Sequence, residues 1–142
     1  MPALIGIALS LAVAVLGRRA GFDRDRAFYA TITIVVASYY VLFAVVGGST
    51  PVLVVETMVM ALFVAAAVVG FRSGAWLIAG ALAAHGVFDA VHGQLLTNPG
   101  MPAWWPAFCG AYDLGAAVWM AALLRHDMRR RTRLSDACAP AT

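Results

Sequence analysis

The sequence has few charged residues and no lysine. Only 12% of its 142 residues are charged, whereas about a quarter of the residues in a soluble domain are charged. Hydrophobic residues make up 63% of the chain, and the uncharged runs are long enough to cross a bilayer. We therefore predict an integral membrane protein with one transmembrane domain over residues 1–124. A basic, flexible cytoplasmic tail is expected over residues 125–142.

Cysteine is also scarce, and the motifs of several enzyme classes are missing. Cys109 falls in an apolar span and Cys138 in the tail, so the two do not form a disulfide framework. The sequence has no phosphate-cradling glycine loop, no Cys-x-x-Cys pair and no serine–histidine–aspartate arrangement, so a hydrolase would lack an obvious nucleophile. The basic residues that give the net charge of +3 lie in short clusters beside apolar spans, and we expect no nucleic-acid partner.

Five apolar segments can be read at the scale of about 17–25 residues that a transmembrane helix requires. They cover residues 2–17, 27–46, 52–71, 75–96 and about 106–124. The first is short and contains small residues that resemble a signal-peptide cleavage site. However, no basic residue precedes it, so we predict a retained span. The predicted fold class is an all-α integral membrane protein, a bundle of five transmembrane helices.

The arginines predict the orientation of this bundle. All ten lie after the first, third or fifth span, and these three segments share one side of a five-span protein. The positive-inside rule places that side in the cytoplasm, with the N-terminus outside and the C-terminus inside. Trp104 and Trp105 fall at the opposite end, where they fit an interfacial aromatic belt. Membrane lipids are therefore expected partners.

Three polar residues share one face of the fourth span. At 100° per residue, His85, Asp89 and His92 fall within an arc of about 60°. Polar groups inside a membrane are costly and mark a functional site by default. This face is the centre of the predicted site.

Polar residues of three other spans occur at a similar depth in the outer half of the membrane. Glu56 lies about five residues below the outer end of its span and Asp113 about seven below the outer end of the fifth. The candidate metal ligands are His85, Asp89, His92, Glu56 and Asp113. The candidate supporting residues are Tyr39, Tyr40, Cys109 and Tyr112. Because Tyr39 and Tyr40 are adjacent, only one of them can face the site.

Metal binding is the first interpretation of these polar residues, because imidazole and carboxylate together suit a divalent zinc or iron ion. His85 and His92 are about 10.5 Å apart along the helix axis, which is awkward for one ion. Asp89 lies one turn from each and can share an ion with either. The Asp89–His92 spacing resembles the carboxylate-x-x-His element of helical di-metal sites, but the chain has one carboxylate and one such motif too few. Cys109 is an extra candidate ligand, although buried cysteines commonly serve as small apolar residues.

Other interpretations remain open. The polar groups can satisfy one another as a hydrogen-bond network between helices, as in a structural subunit of a membrane complex. Buried carboxylates and histidines also form proton relays, as in a small proton- or ion-coupled transport subunit, which would favour a homo-oligomer. If the site is catalytic, we expect a metal-dependent membrane enzyme acting on a lipidic substrate, with no organic cofactor indicated.

Several segments carry a resemblance to a known family. They are RAFY at 26–29, ASYYVLFA at 37–44, HGVFD at 85–89 with His92, NPG at 98–100 and WWPAFC at 104–109. Together they resemble a family of small bacterial multi-span membrane proteins whose function is unknown. The resemblance covers most of residues 24–124. It implies a multi-pass protein of the bacterial inner membrane and brings no known activity.

Overall fold

The computed structural model describes residues 1–137, and within this range the chain is helical without any strand. The five long helices are α1 (Pro2–Ala20), α2 (Arg26–Val46), α3 (Thr50–Ser73), α4 (Ala75–Leu95) and α5 (Trp105–Ala137). A short 3-10 turn, Phe22–Arg24, connects α1 to α2. All five long helices are long and apolar enough to cross a membrane. The expectation of five membrane-length helices is thus confirmed.

Local sequence accounts for where several of these helices begin and end. The side chain of Asp25 caps α2 by accepting a hydrogen bond of 3.0 Å from the backbone N–H of Ala27. Pro51 lies in the first turn of α3, where its missing N–H is not needed. Gly21 ends α1 with a φ of 80°, a left-handed conformation that favours glycine.

Helix α5 is central to the packing of the bundle and forms large contacts with both α1 and α4. Helix α2 packs mainly on α3, and α3 packs on α4. The contact between α4 and α5 is close because two glycines face each other. A Cβ atom added to Gly86 would lie 3.0 Å from the carbonyl oxygen of Gly110. This crossing brings the backbones of α4 and α5 together beside Asp89.

Loops from different parts of the chain meet at each end of the bundle. At one end, the turn at Gly47 lies against Gly100 of the loop between α4 and α5. A Cβ atom added to Gly47 would lie 2.6 Å from the backbone nitrogen of Gly100. At the other end is a cavity of about 510 Å³. The loop after α1, the start of α4 and the late part of α5 all line it. The arginine-containing segments therefore share one end.

Helix α5 continues well past the expected end of the fifth span near Leu124. Its 33 residues correspond to about 50 Å, while the hydrocarbon core of a bilayer is about 30 Å thick. The basic segment is helical through Ala137, so the residue range assigned to the tail begins within this helix. The rest of that range, including Cys138, lies outside the described residues.

Candidate metal centre

All five candidate metal ligands point into the bundle. His85, Asp89 and His92 form the inward face of α4, and each is at most 1% exposed. Glu56 of α3 is 1% exposed and Asp113 of α5 is fully buried. None of these side chains faces the outer surface of the bundle, so each must find its partners inside it.

Helices α4 and α5 bring four potential metal ligands together. One nitrogen, sulfur or oxygen atom from each lies within 4.8 Å of the others. We call this set the metal cluster: His85, Asp89, Cys109 and Asp113. All four residues are buried, and the predicted supporting residue Cys109 is thus placed among the candidate ligands.

The distances within the metal cluster are short. Nδ1 of His85 is 2.6 Å from Oδ2 of Asp113 and 3.7 Å from Oδ2 of Asp89. The thiol of Cys109 donates to the same Asp113 oxygen at 3.8 Å. His85 therefore has one carboxylate neighbour on its own helix and one on α5.

These distances are close to what a shared ion needs. Two oxygen or nitrogen ligands of one tetrahedral zinc ion, with bonds of about 2.1 Å, lie about 3.4 Å apart, and a sulfur–oxygen pair lies slightly farther apart. The distances from His85 to Asp89 and from Cys109 to Asp113 are near those values. The hydrogen-bonded pair of His85 and Asp113 would have to separate by about 1 Å. Small side-chain rotations can produce such a change.

Several polar atoms near the cluster have no hydrogen-bond partner within the described part of the chain. They include Oδ2 of Asp89 and Oδ1 of Asp113, both fully buried. A buried carboxylate oxygen without a partner is costly in an apolar environment. The unpartnered oxygen of Asp89 lies 3.7 Å from Nδ1 of His85 and is thus available to a cation.

Tyr40 of α2 links the metal cluster to a second set of polar groups. Its hydroxyl donates to Oδ1 of Asp89 at 2.5 Å. Its ring stacks on His92 with centroids 4.2 Å apart. The neighbouring Tyr39 packs its ring against Trp105 instead, at 4.9 Å. The structure therefore separates the two adjacent tyrosines, and only Tyr40 contacts the site.

His92 and Glu56 form a separate pair nearer the end of α4. Nε2 of His92 lies 2.8 Å from Oε1 of Glu56. The side-chain amide of Asn98 donates to that same oxygen at 3.0 Å and to the backbone carbonyl of Tyr40 at 3.0 Å. The metal cluster thus includes neither His92 nor Glu56. His92 lies two helical turns from His85 and contacts Glu56 of α3, whereas His85 contacts Asp113 of α5.

Two residues of the site, Asn98 and Phe63, were not predicted from the sequence. Asn98 lies in a loop, yet it is only 5% exposed because its amide reaches back into the bundle. Phe63 packs edge-on against His85 at 4.7 Å. Phe63 follows Glu56 by seven residues, two helical turns, so both fall on the same face of α3. That spacing was the available signal for Phe63.

An apolar cavity of about 680 Å³ shares one residue, Cys109, with the metal cluster. Residues of α1 and α2 form two of its walls, and α5 forms the third. Cys109 and Tyr112 of α5 line it. Tyr112, predicted as a supporting residue, thus belongs to the cavity wall, and Cys109 belongs to both the wall and the cluster.

The family resemblance of the sequence stays a prediction. Comparison of the chain with protein-family models, with curated proteins and with solved structures found no match.

Proposed function

We propose that this protein is a membrane metalloprotein whose metal cluster binds one divalent zinc or iron ion. The observation that carries the proposal is the meeting of four buried ligand atoms within 4.8 Å. Imidazole, thiolate and carboxylate are the ligand types found in tetrahedral zinc sites and in many iron sites. A group of this composition inside an apolar helix pair is suited to a transition metal.

Charge balance also supports a cation at this position. The metal cluster holds two carboxylates, Asp89 and Asp113. No arginine lies beside them, because α4 contains none and the first arginine of α5 is Arg125. An ionised carboxylate at the centre of a membrane helix costs about 2.5–3.5 kcal/mol or more. A bound divalent ion would balance two of the three negative charges of Asp89, Asp113 and a Cys109 thiolate, and it would use the Asp89 oxygen that lacks a partner.

The proposed setting is the inner membrane of a bacterium, with the arginine-rich end of the bundle in the cytoplasm. The clustering of the arginine-containing segments at one end supports this orientation. The metal cluster then lies in the outer half of the membrane. A reporter fused after Thr142 should be active in the cytoplasm, and one inserted after the exposed Ala103 should report from outside; the reverse pattern contradicts this topology.

We further propose that the centre is catalytic and that its substrate is lipidic. Because four protein ligands fill a tetrahedral site, catalysis would need a fifth coordination position or the release of one ligand. A bound zinc or iron ion would then supply Lewis-acid chemistry or activate a water molecule. The residues of the chain would hold the ion through His85, Asp89, Cys109 and Asp113. The apolar surroundings, including Phe63 against His85, exclude bulk water and favour a substrate that already resides in the membrane.

A structural role is the second candidate, and specific hydrogen bonds favour it. Tyr40 bonds to Asp89, His85 to Asp113, and His92 to Glu56. Together these bonds join α2, α3, α4 and α5 and can stabilise the bundle without a metal. An amide can replace a neutral acid in such a network, so Asp89→Asn should then have little effect.

Cobalt binding tests the metal proposal against the structural one. Co²⁺ can replace zinc, and its absorption spectrum reports a thiolate ligand and tetrahedral geometry. Wild-type protein that is first stripped of its bound metal with a chelator and then titrated with Co²⁺ should develop a sulfur-to-cobalt charge-transfer band that Cys109→Ser abolishes. Asp127→Asn, a change at an exposed carboxylate of α5, should leave the band intact. Absence of any cobalt spectrum in the wild-type protein would overturn the proposal.

A further inference from the structure

We infer that the cavity between α1 and α2 binds one acyl chain of an outer-leaflet lipid and lays that chain against Cys109. The binding itself depends only on the cavity. The assignment of this lipid as the substrate rests on the proposed metal-dependent function.

The cavity has the length of one leaflet. Its wall on α1 includes Pro2, Ile5, Leu9 and Val13, which lie on one face of the helix. From Pro2 to Val13 the helix rises about 16 Å, and one leaflet of the hydrocarbon core is about 15 Å deep. An acyl chain lying parallel to its neighbours in the bilayer would therefore fit the cavity from end to end.

The cavity exists because α1 is held against α5 and diverges from α2. Gly6 of α1 meets the backbone of Phe108, and Gly115 of α5 meets the side chain of Ser10. Within residues 1–137, in contrast, α1 and α2 make little direct contact. Small residues thus fix the position of α1 on α5 and leave a gap on its other side.

The gap opens sideways to the surroundings of the bundle. Leu9 of α1 and Val35 of α2 line it, and they remain 44% and 45% exposed. In a membrane these side chains face lipid tails, so an acyl chain can enter laterally without crossing water. Its volume of about 680 Å³ is within the range of about 300–1,000 Å³ for small-molecule sites.

A single acyl chain suits the cavity better than a helix from a second copy. A helix is a rigid cylinder about 10 Å across with its side chains, whereas a lipid tail is narrower and flexible enough to follow the three walls. We therefore assign the cavity to an acyl chain.

Trp105 lines the outer end of the cavity. Tryptophan side chains concentrate at the level of the lipid headgroups, so Trp105 marks where the ester of a bound lipid would lie. Cys109 is one helical turn deeper, about 6 Å along α5. A lipid bound in this way places the part of its chain nearest the ester beside the metal cluster.

Photo-crosslinking tests the inference directly. The full-length protein would be reconstituted in nanodiscs containing phosphatidylcholine with a diazirine on one acyl chain, and crosslinked residues would be mapped by mass spectrometry. Crosslinks should concentrate on Leu9, Val35 and their cavity neighbours. Leu9→Trp and Val35→Trp fill the gap from opposite walls and should each remove most of these crosslinks. The control Val118→Trp, at a 70% exposed position of α5 outside the cavity, should retain them.

Other outcomes would overturn the inference. Crosslinks as dense at Val118 as at Leu9 would mean that lipid contacts the bundle uniformly. Chain-to-chain crosslinks through the cavity would mean that a second copy occupies it. The same map for Asp89→Asn separates the two proposals, because it should lose the metal and keep the lipid crosslinks. If the crosslinks disappear with the metal, the cavity alone does not bind the lipid.

Discussion

The hydroxyl of Tyr40 donates a hydrogen bond of 2.5 Å to one carboxylate oxygen of Asp89, across the interface between α2 and α4. The other oxygen of Asp89 faces His85 at 3.7 Å and has no hydrogen-bond partner in the described part of the chain. Tyr40 thus fixes the rotation of the carboxylate and leaves one oxygen directed towards the metal cluster. Partners of this kind orient metal ligands and tune their affinity.

Tyr40→Phe should weaken metal binding while the protein still folds. The substitution removes the bond to Asp89 but keeps the ring that stacks on His92. Loss of such an orienting partner typically lowers metal affinity by about 10–100-fold, and loss of one hydrogen bond between membrane helices costs about 0.6–1.7 kcal/mol. Competition titration with a metal chelator measures the first effect, and unfolding in detergent measures the second.

Tyr39→Phe is the matched control, because Tyr39 packs against Trp105 and makes no hydrogen bond to the metal cluster. Its metal affinity should equal that of the wild-type protein. Equal losses of affinity in both variants would show that the bond from Tyr40 to Asp89 does not orient a metal ligand.

Glu56→Gln should leave the metal content unchanged, whereas Asp113→Asn should remove the metal. Glu56 bonds to His92 and Asn98, outside the four-residue cluster. Gln keeps an oxygen that can accept from Asn98. Metal content per chain, measured on both purified variants, checks this division. Loss of metal from Glu56→Gln as well would mean that the two sets of polar groups act as one site.

Gly110→Ala should destabilise the crossing of α4 and α5. An added Cβ would lie 3.1 Å from the Cβ of Asp89 and 3.1 Å from the carbonyl oxygen of Gly86, so the helices would have to move apart. Overpacking of this kind costs about 1–3 kcal/mol, and the shift should also lower metal affinity. Thermal unfolding in detergent, with and without metal, measures both effects.

Gly80→Ala provides the comparison for Gly110→Ala. A Cβ at Gly80 meets nothing within 4 Å, and alanine favours a helix over glycine by about 1 kcal/mol. This variant should be as stable as the wild-type protein or slightly more stable. A stable Gly110→Ala protein with full metal affinity would argue against the close glycine contact as the feature that positions the site.

The sequence predicted the helices and the inward face of α4 well, because these depend on local properties. Long uncharged runs predict spans, and helical spacing alone places His85, Asp89 and His92 on one side. The depth of each polar residue follows from its distance to the nearest loop. These rules require no knowledge of which helices are neighbours.

The pairing of side chains could not be predicted in this way, because it depends on how the helices pack. His85 pairs with Asp113 because the glycine contact brings α5 to that level of α4, while α3 reaches His92. Asn98 enters the site from a loop whose path sequence periodicity does not describe. The cavity likewise results from the gap between α1 and α2, which no local pattern encodes.

Elemental analysis shows whether Asp89 and its three neighbours bind a metal ion. Wild-type protein and Asp89→Asn would be purified without chelators and without a metal-affinity resin. We expect about one zinc or iron ion per wild-type chain, as a single four-ligand site requires. Asp89→Asn should be folded, inserted in the membrane and free of this metal. Wild-type protein without stoichiometric transition metal, or Asp89→Asn protein with the full wild-type metal content, would show that these four residues do not form a metal site.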